Sequence, residues 1–222
     1  MVDLAYPTLV WFHVLLFVLW LGADVGVFVL GQHFRRRTVY DLPQRLVLLK
    51  LLVTVDMVPR SAWALMVPVS LSVAAAGNWA ALPVWLIAAS WVVAGGWLWL
   101  VWDAHLHDQT PRAARNRRIE FWLKVALTLF YLGLGGLWLA TGDAPSWLAW
   151  KAALFGAIFA AAIMIDVAFK PVGPQLGALI AHGSSDATEV PLLATMNRTR
   201  YWVWCVYALL VATSWLGAVK PG

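Results

Sequence analysis

Apolar residues run along this chain in long blocks, without the alternation of a half-buried strand, and each block stops at arginine, proline or glycine. The first block, WFHVLLFVLWLGADVGVFVLG, ends at Arg35, Arg36 and Arg37. Thr8 to Leu30 is 23 residues. At about 1.5 Å per residue, such a helix crosses a hydrocarbon core of about 30 Å. Further spans are expected at about 61–76, 82–102, 121–140, 147–169 and 201–219. The apolar run up to Gly77 is too long for one straight crossing and contains Asp56, Pro59 and Arg60. Its part 46–58 reads as an amphipathic or lipid-shielded lead-in, with Pro59 marking a kink before the second span. The glycines of LGLGG in the fourth span allow a neighbouring helix to approach closely. Lys170, Pro171, Gly173 and Pro174 open what reads as the longest loop, from 170 to 200. The pattern predicts an all-α fold: a single integral membrane domain over 1–222, built as a six-transmembrane-helix bundle. MVDLAYP has neither a basic n-region nor a small-residue cleavage site, so the first helix is expected to be retained.

Composition excludes a water-soluble reading. The chain is 62% hydrophobic and 12% charged with a mean hydropathy of +0.75, more apolar surface than a domain of 222 residues can hide in its own core. Of sixteen tryptophans, Trp79, Trp85, Trp122, Trp147 and Trp202 fall near block ends, where amphipathic rings favour the membrane interface. Trp20, Trp91 and Trp97 lie deeper, either packing helices together or walling a flat cofactor. Of the 16 basic residues, 13 lie in or beside the loops after the first, third and fifth spans. By the positive-inside rule those loops face the cytoplasm, and both termini lie on the non-cytoplasmic side of the inner (plasma) membrane. The net charge of +5 therefore speaks to topology and does not imply nucleic acid. A lone cysteine, Cys205, provides no internal disulfide and no cysteine metal cage.

Charged and metal-ligating side chains inside apolar blocks are costly and mark candidate chemistry. His13, Trp20 and Asp24 share one face of the first helix, because steps of seven and eleven residues return to nearly the same direction. The expected topology places His13 and Lys151 at similar depth toward the outer side. It gathers Asp24, Asp56, Arg60, Asp103, His105, His107 and Asp166 toward the cytoplasmic half as a second polar layer. His13 is either a buried histidine bonded to a carbonyl or an axial ligand, since a neutral imidazole binds iron and a bundle lined by aromatic rings gives haem a dry slot. Lys151 either reaches into a site or snorkels to the interface. In WDAHLHD, Asp103 and His107 are four apart and can form one side of a divalent metal site together with His105, completed by Asp24 or Asp166. Equally, the segment can be a wetted helix end paired with the arginine-rich loop after it. No phosphate loop, zincin motif or informative Ser-His-Asp spacing is present.

HVLLFVLWLG at His13 to Gly22 resembles the first helix of the HemJ-type membrane protoporphyrinogen oxidases, with a histidine seven residues before a tryptophan. GLWLATGDAPSWLAWKAAL, Gly136 to Leu154, is similar to that family's GLWLL stretch, turn and WLxxK helix, and the closing AVKPG to its VKP. The region from Asp56 to His107 adds two spans to the family's pattern. CopD-like membrane domains share the His-bearing first helix. The resemblance implies haem b held by His13 beside Trp20, with Lys151 as second ligand or substrate-side catalytic group. It implies a membrane oxidoreductase acting on a porphyrinogen-like or other hydrophobic substrate, with a quinone as a further candidate partner. Asp24 and Arg60 are candidate catalytic residues of the second layer. Two alternatives stand beside it. One is a copper or other cation-handling protein using His13, Asp103, His105, His107 and Asp166. The other is a non-catalytic accessory subunit of a larger membrane complex. The bilayer is the expected partner, homo-oligomers are candidates, and nucleic acid is not.

Overall fold

In the computed structural model, residues 4–221 are described, and they form eight helices: α1 (Ala5–Phe34), α2 (Leu42–Val55), α3 (Met57–Ala76), α4 (Val84–Leu106), α5 (Pro111–Thr141), α6 (Ser146–Phe169), α7 (Val172–His182) and α8 (Asp186–Val219). No strand occurs among the described residues. Five stretches are long and apolar enough to cross a membrane: α1, α4, α5, the run Ser146–His182 and α8. Their outward faces carry large exposed apolar side chains such as Val18, Trp99, Leu129 and Trp215, which is how a protein solvated by lipid presents itself. The chain is therefore a membrane protein.

Helix α3 sits at the centre. Thirteen of its 20 residues are buried, far more than in its neighbours α1 and α4. Pro59, Arg60 and three serines interrupt its apolar sequence. An enclosed helix meets protein on most sides and need not be apolar all round. The remaining long helices follow one another around it: α1 and α4 pack on α3, α5 on α4, α6 on α5, and α8 on α6. The α5–α6 contact is the closest of these. A Cβ built on Gly135 would lie 2.6 Å from the Ala153 backbone nitrogen, and one on Gly156 would lie 2.8 Å from that of Leu132. Only glycine lets these backbones touch, the arrangement expected from LGLGG.

Two sequence expectations need correction. The kink expected at Pro59 is instead a helix break at Asp56, and Pro59 falls in the first turn of α3, where its missing N–H has no intrahelical acceptor to lose. The proline within the helix is Pro68. Helix α2 starts earlier than the expected lead-in because Asp41 and Gln44 form a reciprocal capping box, with Pro43 in the first turn. The long loop from 170 to 200 is also absent. Pro174 lies in the first turn of α7, and Ser185 with Thr188 forms a capping box that starts α8 well before its apolar part.

A buried ion pair ties this region down. Arg45 of α2 donates from both terminal nitrogens to Glu189 of α8, at 2.5 and 2.9 Å, and from Nε to the Phe34 carbonyl at 2.6 Å. The two side chains are 1% and 0% exposed. Ser184 donates a further hydrogen bond to Glu189 at 2.7 Å, so the carboxylate is fully engaged. In the α4–α5 turn, a hydrogen bond from Arg117 holds the Asp108 carboxyl below its usual range.

Candidate functional site

A cavity of about 630 Å³ opens in the half of the bundle that holds the α3–α4 and α5–α6 turns. Helix α1 contributes Val10, His13, Val14, Phe17 and Trp20, on the single face that steps of three, four and seven residues produce. From α6 come Trp147 and Lys151, from α5 Tyr131 and Trp138, and from α8 Leu210, Val211, Ser214, Trp215 and Gly217. Its polar groups are hydroxyls, indoles, one imidazole and two lysines, Lys151 and Lys220, and among the described residues no carboxylate lines it. The size is that of small-molecule and cofactor sites, about 300–1,000 Å³.

Two groups in this cavity have no partner among the described residues. His13 Nδ1 is buried and unbonded. Lys151 makes no hydrogen bond or ion pair, and its ammonium occupies the space where a Cβ on residue 217 would sit, which glycine leaves free. A buried imidazole nitrogen without a partner is costly in a completed core, whereas the half-buried Lys151 opens onto the cavity. Trp20, the third member of the expected face, stacks on Trp63 at 5.5 Å and closes the inner end with Phe155.

The outer end is plugged by aromatic rings. Trp79 meets Trp147 edge-on at 5.0 Å and Tyr6 at 5.9 Å. Lys220, turned back by its left-handed backbone (φ 48°), lays its ammonium 4.3 Å from the Trp79 ring and 5.7 Å from that of Trp147.

The second polar layer is an ion-pair chain. Asp56 bonds Arg60 at 2.5 Å, Arg60 lies 4.0 Å from Glu120, Glu120 lies 3.3 Å from Lys124, and Lys124 donates to Asp166 at 2.8 Å. Trp97 donates to Glu120 at 3.3 Å, and the Lys124 ammonium lies 5.6 Å from the Trp63 ring. Asp24 stands beside this chain, within electrostatic reach of Asp56 and Arg60, and its carbonyl accepts a hydrogen bond from Tyr207 at 3.0 Å. Neither Asp24 nor Arg60 reaches the cavity.

The expected metal set does not assemble. Asp103 is occupied by Arg112, by Asn116 at 2.6 Å and by His107 at 3.2 Å. The buried carboxylate thus pairs with the arginine-rich segment after it. His105 packs edge-on to Trp102, Asp166 is held by Lys124, and His13 belongs to the cavity. Among the described residues, no group of three or more His, Cys, Asp or Glu side chains is placed to share an ion.

Sequence reasoning missed three participants. Lys220 lies beyond the last apolar block and read as a tail residue, although its only apolar-side rings are the two interfacial tryptophans it covers. Glu120 and Lys124 read as the edge of a basic loop; their i, i+4 spacing at the start of an apolar block was the available signal.

Fold and cavity together define a class: an all-helical membrane protein with an apolar, aromatic cavity whose charged lining, among the described residues, is positive. The chain matches no protein-family model, no curated protein and no solved structure.

Proposed function

We propose that the chain is a haem-binding integral membrane redox protein of the HemJ/CopD-like superfamily, with the His13 cavity as its cofactor site. The observation that carries this reading is the unbonded His13 imidazole, brought into one aromatic cavity with an unpaired lysine from α6. These residues fit a haem. His13 would hold the iron through its imidazole, the rings of Trp20, Phe155 and Trp138 would provide apolar walls, and Lys151 would serve as second ligand or substrate-side group. Haem there would supply one-electron chemistry. The protein's part is to exclude water with Trp20, Phe155 and the Trp79–Trp147 plug, and to present a cationic group to the substrate. The substrate in this reading is a hydrophobic molecule of the membrane, oxidised at the cavity, with electrons leaving to an acceptor of the quinone class.

The reading extends to topology. With α3 counted as a span, its 20 residues being about 30 Å long, the bundle crosses six times. Both termini, the cavity and its aromatic plug then lie on the non-cytoplasmic side of the inner membrane, and the arginine-rich turns lie in the cytoplasm. The test is haem content after purification in mild detergent. Stoichiometric haem is expected in the unaltered chain, and none in His13→Ala at an unchanged elution position. Equal haem in both removes His13 as ligand.

A further inference from the structure

The cavity is closed where water would come in and open where lipid would. At its aqueous end, Tyr6, Trp79 and Trp147 interlock and Lys220 lies across them. On the side between α1 and α8 the wall is incomplete. Helix α1 packs on α2 and α3, and α8 packs on α6 and α7. What joins α1 to α8 is Phe28 on Trp204 and Tyr207, the Tyr207 hydroxyl on the Asp24 carbonyl, and Arg35 on Asn197. Every one of these contacts lies in the opposite half of the bundle. Beside the cavity, Val14, Val211 and Trp215 line the interior and are 53%, 57% and 53% exposed, so neighbouring helices cover little of them, and the gap lies among the apolar helix faces.

The charge inside selects what can use it. Lys151 and Lys220 lie within electrostatic reach of each other, and no carboxylate lines the cavity among the described residues, so an anion placed between them meets attraction on both sides. The rest of the wall is aromatic and aliphatic. A ligand that dissolves in the bilayer, slips sideways through an apolar rim and ends at two ammonium groups is an amphiphile with an acid head.

We propose that the cavity takes a bilayer-dissolved carboxylic acid amphiphile, which enters laterally between α1 and α8 and seats its carboxylate against Lys151 and Lys220. This rests on the proposed function's premise that the His13 cavity is the working site, and takes Lys151 there as the substrate-side group.

The test uses the full-length protein in lipid nanodiscs with radiolabelled oleate as probe, empty discs setting the baseline. Saturable oleate binding is expected, with methyl oleate binding at least about tenfold more weakly, because the ester lacks the charge that makes a hydrogen bond to lysine strong. Lys151→Gln and Lys220→Gln are each expected to weaken oleate by a similar factor and to leave methyl oleate unchanged. Equal binding of acid and ester by the unaltered protein overturns the proposal without recourse to any variant. For the route, Val14→Trp and Val211→Trp should slow oleate uptake, and Trp79→Leu, which opens the aqueous plug, should not speed it. Uptake accelerated by Trp79→Leu and untouched by the two valine changes overturns lateral access. Haem content is read separately by absorbance. A haem-free protein that discriminates acid from ester retains this inference and loses the cofactor, and a haem-loaded protein that does not discriminate does the reverse.

Discussion

Lys151 has room because residue 217 is glycine: a methyl group at that position would overlap the ammonium. Small residues in membrane helices usually serve backbone approach, as Gly135 and Gly156 do between α5 and α6. Gly217 instead shapes the site. Gly217→Ala is expected to displace the lysine and lower haem retention during detergent exchange by about tenfold, the factor that about 1.4 kcal/mol represents. The elution position should not move. Unchanged retention would show that Lys151 has no part in holding the cofactor. At this scale the sequence was legible for His13, Trp20 and Lys151, which helical spacing and depth bring together. It was not legible for Lys220, because a lysine after the last apolar block looks like any solvated tail until the fold lays it on Trp79 and Trp147.

Among the elements, the long apolar helices were readable from their blocks, and the short ones were not. The residues from Lys170 to Arg200 read as a loop because three glycines and three prolines fall among them. Yet those prolines sit early in α7 and α8 or just ahead of α7, and the buried Arg45–Glu189 pair supplies long-range support that no local pattern reveals. Removing one partner leaves an uncompensated buried charge. Glu189→Ala is therefore expected to cost about 3–5 kcal/mol, seen as a lowered midpoint of thermal or denaturant unfolding. The double change Arg45→Met, Glu189→Met should recover most of that loss, since replacing both ions with apolar side chains removes the desolvation penalty as well. A double variant as unstable as the single one would show that the hydrogen bonds to Phe34 and Ser184 matter more than the charges. The ion-pair chain from Asp56 to Asp166 belongs to this scale too. It joins the start of α3 to α5 and α6, and it engages Asp166, which the sequence had offered as a metal ligand.

For the whole molecule, hydropathy identifies a membrane protein without help from the structure, while α3, expected from its apolar block as the second span, is not among the five stretches long and apolar enough to cross. Helix α3 is screened from lipid by its neighbours and so carries Pro59, Arg60 and serines that lower its hydropathy. The six-span topology can be checked in intact cells. In a Cys205→Ser background, a cysteine at Asp143 in the α5–α6 turn should react with a membrane-impermeant maleimide. One at Arg115, near the start of α5, should be protected until the cells are opened. The reverse pattern would invert the proposed orientation.

The central claim, that an unbonded histidine in an aromatic membrane cavity holds a haem, meets its most direct test in one optical measurement. This is the absorption spectrum of the detergent-purified protein from haem-sufficient cells, recorded oxidised and then after dithionite. The account predicts a Soret band, with α and β bands that sharpen on reduction and that disappear in His13→Ala. A featureless visible spectrum would contradict it, as would a haem spectrum indifferent to the loss of His13.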